Sequence, residues 1–329
     1  MQWELQHVLA DLLAERDDVH VLGEDLLDPY GGAFKITDGL STRFPDRVWT
    51  TPVSEAAIVG IANGMALAGL RPIVEIMFGD FSTLIVDQLL NHAAKFERMY
   101  GGTVTCPVIV RTPMGGRRGY GPTHSQSLEK LFLGIPGLTV IAADPVHDQR
   151  FIWQRMIELA APCLYVENKV LYGTRLPLIE AGRYGPFSLE ASGGFFPTTR
   201  LRLGGPPDAA IVCYGGMVPA ALEASRRLFE RYEWVVDVVV PSALAPLDVD
   251  ALVRALGSNY PIVVAEEGTL RSGFGAEVVA ALADCRALAG RAIRRVAMPD
   301  TIVPNNSALE RELLPDAGHI VDVLCTLIA

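Results

Sequence analysis

Apolar runs of strand length alternate along this chain with amphipathic stretches of helical period. In the first half, His20–Gly23, Pro72–Met77, Pro107–Arg111, Leu138–Ala142 and Cys163–Val166 read as strands. Between them, Ser54–Ala68, Ser82–Met99 and Pro145–Leu159 carry helical patterns, with Ser54 and Ser82 placed to cap the first two. The second half repeats the rhythm. Ala209–Tyr214, Trp234–Val240 and Pro261–Ala265 read as strands, each followed by a helical pattern at Val218–Arg231, Val249–Leu256 and Ala276–Leu282. A last strand, Ile293–Ala297, precedes a helical C-terminus. Strands that are apolar throughout and separated by helices imply mainly parallel sheets covered on both faces. Leu176–Pro207 is rich in Gly and Pro, has no clean period and is the expected linker. The expectation is therefore an α/β chain of two doubly wound, mainly parallel-sheet domains, residues 1–194 and 195–329.

Composition narrows the class. The chain has 329 residues, half of them hydrophobic, which excludes a disordered or collagen-like protein. Its 28 Lys+Arg against 38 Asp+Glu give a net charge of −10, a surface that repels phosphate backbones and anionic lipid. Neither nucleic acid nor a membrane is an expected partner. Five single cysteines without a C-x-x-C pair give no zinc site and fit reduced thiols. The N-terminus places acids at helical spacing without a basic start, so no signal peptide is read and a cytoplasmic location is expected. Ala56–Leu70, the longest weakly polar stretch, is broken by Asn63 and too short to span a bilayer.

Several common motifs are missing: G-x-x-x-x-G-K-[ST], G-x-S-x-G, H-E-x-x-H and a complete G-x-G-x-x-G. The remaining candidate chemistry gathers in the first half, mostly just past predicted strands. It comprises Gly23-Glu24-Asp25, Thr51-Pro52-Val53-Ser54-Glu55, Gly79-Asp80-Phe81-Ser82 and the Gly-rich Gly121-Pro122-Thr123-His124-Ser125-Gln126-Ser127. In open α/β sheets that edge binds ligands. Glu55 opens an apolar helix, where a carboxylate suits the helix dipole. Alternatively, an acid entering such a helix is partly desolvated, its pKa rises and it can share a proton with a heterocycle nitrogen. His124, among Thr, Ser and Gln in a Gly-Pro loop, reads as functional or as a surface residue; Phe81 reads as a core aromatic or as a ligand contact.

Taken together, these blocks resemble the β subunit of thiamine-diphosphate-dependent 2-oxo-acid dehydrogenase E1 (pyruvate, branched-chain and acetoin types), a family related to transketolase. The resemblance runs through GEDLLDPYGGAFKITDGL, the long block from Thr51 to Lys95, CPVIVRTPMGG, HSQSLEKLFLGIPGLTVIA and VVAEEGTLRSGFGAEV. It implies a transketolase-like pyrimidine-binding domain followed by a transketolase C-terminal domain. It also implies roles: Glu55 hydrogen-bonds the aminopyrimidine ring, Phe81 stacks on that ring, His124 faces substrate and acceptor, and Glu24 lies beside it. A structural potassium ion, held by carbonyls near Met156, Leu159 and Ala161, is a further implication.

The chemistry accounts for these residue types. A glutamic acid donating to the pyrimidine ring favours the tautomer that takes the thiazolium proton internally, and a dry pocket keeps that acid protonated. A histidine can then stabilise an oxyanion or donate a proton as the acyl group moves to sulfur. The family's diphosphate–Mg²⁺ motif, Gly-Asp-Gly followed by Asn-Asn, is absent: Gly79-Asp80 continues into Phe81, and Asn305-Asn306 has no such motif upstream. The implied assembly is thus an α2β2 heterotetramer whose α subunit holds Mg²⁺ and the diphosphate. The acyl acceptor would be the lipoamide of an E2 acyltransferase. Two features leave other readings open. Arg117 and Arg118 sit in the His124 loop, as links to a partner or contacts to an anionic donor or acceptor, and Gly-Pro-Thr-His resembles the transketolase loop. The alternatives are two-carbon transfer from a ketose to a carrier protein, and a scaffold subunit without catalysis.

Overall fold

The computed structural model describes residues 2–174, 177, 179–257, 260–285 and 290–328. The first half supplies strands β1 (Val19–Gly23), β2 (Val48–Thr50), β3 (Arg71–Glu75), β4 (Ile109–Met114), β5 (Thr139–Ala142) and β6 (Cys163–Asn168). The remainder supplies β7 (Ile179–Glu180), β8 (Arg183–Tyr184), β9 (Phe187–Ala191), β10 (Thr198–Arg202), β11 (Ala209–Cys213) and β12 (Val236–Pro241). It continues with β13 (Ala243–Ala245), β14 (Ile262–Thr269) and β15 (Ile293–Met298). Two sheets result among the described residues, in the orders β13-β5-β6-β4-β3-β1-β2 and β15-β14-β11-β12-β10-β9-β8-β7. In the first, β1 to β6 are all parallel, with Val21 opposite Val48 on one side and Ile73 on the other.

Every residue of β4 and β6 is buried, which is why these strands carry apolar residues at consecutive positions. One face of this sheet packs Leu9, Leu13, Val21, Ile73, Ile109 and Trp153 together. On the other, Val59, Val74 and Val110 belong to a cluster that continues into Val212, Val264 and Phe274 of the second half, so the halves share a core.

The sequence is corrected at the boundary. The stretch expected as a linker builds β7 to β10, four strands of the second sheet, and a cut after residue 194 falls between the paired strands β9 and β10. Leu176, its expected start, lies outside the described residues. Strand β13 moreover crosses back, pairing antiparallel with β5 of the first sheet. A second correction concerns Ser82–Met99. In place of one helix the chain makes a 3-10 segment (Gly79–Ile85), a π-helical turn (Gln88–Ala93) and a short α-turn (Phe96–Met99). The Asn63 amide donates to the Gln88 carbonyl at 3.0 Å, tying this π-helical turn to the Glu55–Leu67 helix.

Beneath the carboxyl ends of the central strands lies a buried ionic cluster. Arg111 on β4 donates to both oxygens of Glu167 on β6, from Nε at 2.7 Å and Nη2 at 2.6 Å, and from Nη1 to Glu75 on β3. The Tyr172 hydroxyl donates to the same Glu167. All four side chains are buried.

Candidate functional site

From β1 the chain runs to β2 at the sheet edge and then returns to β3 on the other side of β1. The connections leaving β1 and β3 therefore diverge, and the crevice between their carboxyl ends is the place where open α/β sheets bind ligands. Glu24 follows β1 there. Asp25, at φ 53°, turns the chain sharply, and its N–H donates to the Thr50 hydroxyl at 3.0 Å. The Glu55–Leu67 helix starts beside it, and the backbone N–H of Ser54 donates to the Glu24 carboxyl. Glu24 and Glu55 are both buried. Burial, then the neighbouring Glu55 and Asp25 charges, hold Glu24 above the ordinary carboxylate range, against the opposing Ser54 hydrogen bond. Its Oε1 is buried without a hydrogen-bond partner. Two acids thus meet with no base between them.

The helix opened by Glu55 packs on the Gly79–Ile85 segment, which carries Phe81 past β3. Phe81 and Phe78 both present themselves to His124 in edge-to-face contacts, with ring centroids 5.3 Å and 4.8 Å from the imidazole. The Thr123 hydroxyl lies 3.0 Å from His124 Nδ1. The four candidate side chains therefore fall into two groups, Glu24 within the electrostatic reach of Glu55 and Phe81 in ring contact with His124, on elements at the ends of β1, β3 and β4.

The loop bearing His124 is irregular, so its shape depends on outside partners. Gly115 N–H donates to the Gln126 carbonyl at 3.0 Å and closes its base. Gly115 has φ 90°, and a Cβ there would stand 2.5 Å from Asn168 Nδ2; only glycine fits. Glu267 at the end of β14 accepts from Gly116 N–H at 2.8 Å and from the Ser127 hydroxyl at 3.1 Å. Glu310 accepts from Gly119 N–H at 2.7 Å. Asn306 does not face the site either: its side chain caps the Ser307–Leu313 helix, accepting from Ala308 and Leu309 N–H. The second half therefore holds the loop in place.

Arg117 and Arg118 are engaged within the chain. Arg117 donates to the Pro315 carbonyl and lies 3.6 Å from Glu267, while Arg118 donates to the Lys169 carbonyl at 2.7 Å and covers the Phe34 ring. At the expected potassium position the Leu159 carbonyl accepts from Arg71 at 3.4 Å and the Ala161 carbonyl lies 3.8 Å from the Cys163 thiol. A guanidinium already stands at one of the three oxygens, a poor fit to a second cation, and no chemistry is assigned to that site.

Comparison with known proteins places this geometry. Residues 2–174 match the transketolase pyrimidine-binding domain and residues 201–320 the transketolase C-terminal domain. The chain is 36% identical to the β subunit of an acetoin:2,6-dichlorophenolindophenol oxidoreductase from Cupriavidus necator, covering 92% of this chain and 89% of that protein. It is 33% identical to the mitochondrial pyruvate dehydrogenase E1 β subunit of Saccharomyces cerevisiae, covering 96% of this chain and 85% of the relative. This chain belongs to the E1β family. A split-gene transketolase, described as an inactive β4 tetramer, shares the fold, with a TM-score of 0.74 at 21% identity over 99% of this chain and 97% of the other.

As a transketolase-like E1β chain, from a thiamine-diphosphate-dependent family, it has the two α/β domains that the sequence pattern implied, parallel from β1 to β6 in the first and over β12, β11, β14 and β15 in the second, where β10 to β7 add an antiparallel flank. Sequence reasoning passed over Phe78 and Lys169. Both stand past strand ends, Phe78 three residues after β3 and Lys169 immediately after β6, and the strand-end rule used for Glu24 would have found them.

Proposed function

We propose that this chain is the β half of a thiamine-diphosphate enzyme that decarboxylates a 2-oxo acid and passes the acyl group to lipoamide, active when joined to an α subunit. The observation that carries the reading is the Glu24–Glu55 pair: two buried acids at the sheet's switch point, one with an unpaired oxygen and a raised pKa. Such a donor set suits a neutral, nitrogen-rich heterocycle, since a shared proton would relieve the repulsion and fill the empty hydrogen-bond position. The Phe81 ring offers a flat apolar contact beside it. When bound, the coenzyme would supply a carbanion and an electron sink at its thiazolium ring.

The roles of this chain's residues follow from their surroundings. Glu55 would hydrogen-bond the aminopyrimidine, and Glu24, held above the ordinary carboxylate range by burial, would supply the shared proton of the pair. His124, fixed between Phe78 and Phe81, would stabilise an oxyanion or deliver a proton at the substrate. The diphosphate and Mg²⁺ fall to the α subunit, because Gly79-Asp80-Phe81 lacks the second glycine and Asn305-Asn306 belongs to the loop clamp. Exposed Val53, Ile61 and Leu84 around the buried Glu55 give such a partner an apolar face to cover. The "subunit beta" and "E1 component" in the relatives' names support the same assembly.

The Gly121-Pro122-Thr123-His124 run favours a second reading, in which a ketose donates a two-carbon unit to a carrier protein. Assaying the reconstituted α/β pair with pyruvate, branched-chain 2-oxo acids and ketose phosphates separates them. Turnover of a 2-oxo acid with lipoamide acylation is the expected result. Turnover of ketose phosphates alone would replace the first reading by the second, and robust turnover by the single chain would remove the need for a partner.

A further inference from the structure

We propose that Lys169 is a positioning residue that clasps the His124 loop from below and fixes the imidazole in place. The inference rests on the role given to His124 above. Lys169 opens the short turn after β6 and is completely buried, an unusual place for an ammonium. Its Nζ donates to the backbone carbonyl of His124 at 2.7 Å. In return the Arg118 guanidinium, from the same loop, donates to the backbone carbonyl of Lys169 at 2.7 Å. The loop is thus tied to β6 at two points six residues apart, through opposite ends of one lysine. The ammonium also lies 5.4 Å from the Phe78 ring centroid and 6.0 Å from that of Tyr120, and Phe78 is the ring packed closest to the imidazole. Lys169 therefore acts on His124 by the backbone and through an aromatic neighbour.

The charge balance around the clasp makes it sensitive to pH. Asp80 past β3, Glu267 at the end of β14 and Glu310 on the Ser307–Leu313 helix favour the ammonium, while Arg118 on the loop opposes it. Burial outweighs the acids and brings the lysine down to about 8. Below that pH the bond to His124 is charge-assisted; above it the neutral amine donates a weaker bond and loses its attraction to the rings. The effect on global stability has the opposite sign. Between pH 8 and the ordinary value of 10.5 the unfolded chain binds the proton that the folded chain has released, so this group's contribution to stability rises with pH. An opening of the loop that brings Lys169 into water takes up a proton in the same pH range, so the clasp is read from substitutions and from the pH profile of turnover.

Backbone hydrogen exchange over residues 115–127 of the free chain tests the clasp without any assay of turnover. Corrected for intrinsic rates and compared below pH 8, the loop in Lys169→Met is expected to lose about tenfold of its wild-type protection. Lys169→Arg keeps the charge, serves should the methionine variant fail to fold, and is expected to keep most of that protection. Equal loop protection in wild type and Lys169→Met, or a tenfold loss in Lys169→Arg as well, would overturn the proposal. In the assembled enzyme the alkaline fall in kcat is expected to move to higher pH in Lys169→Arg, and a fall that stays in place also contradicts it. A His124→Ala variant that turns over normally would sink the role of His124 in the proposed function, while the exchange result would still judge the clasp.

Discussion

Two groups of buried carboxyls lie a few residues apart in the same sheet and are treated in opposite ways. Glu75 and Glu167, at the ends of β3 and β6, are saturated: Arg111 reaches both and Tyr172 donates to the second. Glu24 and Glu55, past β1 and at the start of the Glu55–Leu67 helix, have no base between them, and one oxygen of Glu24 has no hydrogen-bond partner. On the proposed function, a folded chain that gives an arginine to one acidic group and leaves the other open separates acids that hold the structure from acids that would meet a ligand. Burial alone does not make that distinction; the state of the hydrogen bonds does.

The largest break in this contrast is expected from Arg111→Met. It strands two buried carboxylates, and a loss of about 3–5 kcal/mol of stability is expected in denaturant unfolding of the chain. A loss below about 1 kcal/mol would mean that the acids protonate readily and that the cluster is not an ionic support. Glu55→Gln works on the other group. The assembled enzyme is expected to lose about 10²–10³ in turnover, the scale of one catalytic donor, with its melting temperature nearly kept. Unchanged turnover would favour a scaffold subunit without catalysis.

Smaller effects sharpen the comparison. Tyr172→Phe removes one of several donors to Glu167, and about 1 kcal/mol of stability is expected to go, with no change in coenzyme affinity. Glu24→Gln gives the smallest change, visible in the pH dependence of stability. Because Glu24 is held above its ordinary value of 4.5, the folded chain keeps the proton longer than the unfolded one. The stability it contributes is full below pH 4.5 and is lost as pH rises through the folded value. The variant is expected to flatten the stability curve over that window; a curve parallel to wild type would contradict the unpaired state of Glu24.

The sequence made parts of this legible for physical reasons. Strands β4, β6, β11 and β14 are buried along most of their length and therefore read as continuous apolar runs. The antiparallel strands β7 to β9 are short and largely exposed, with Gly and Pro at their turns, and so resemble a linker. β13 has only three residues and pairs across the halves, which no local pattern reports. Glu55 stood out as an acid opening an apolar helix, whereas Phe81 and His124 took their expected roles from the family resemblance. Arg111 and Glu167 lie inside apolar strands and find each other at a separation of 56 residues, a pairing that only the folded sheet reveals.

The central claim is that the open acid pair receives the aminopyrimidine ring. A crystal structure of the assembled α/β enzyme with thiamine diphosphate tests it most directly. The account predicts a Glu55 carboxyl oxygen at about 2.6–3.0 Å from a ring nitrogen, with Glu24 screened from solvent behind it. Coenzyme bound elsewhere, with the Glu55 carboxyl facing bulk water, would contradict it.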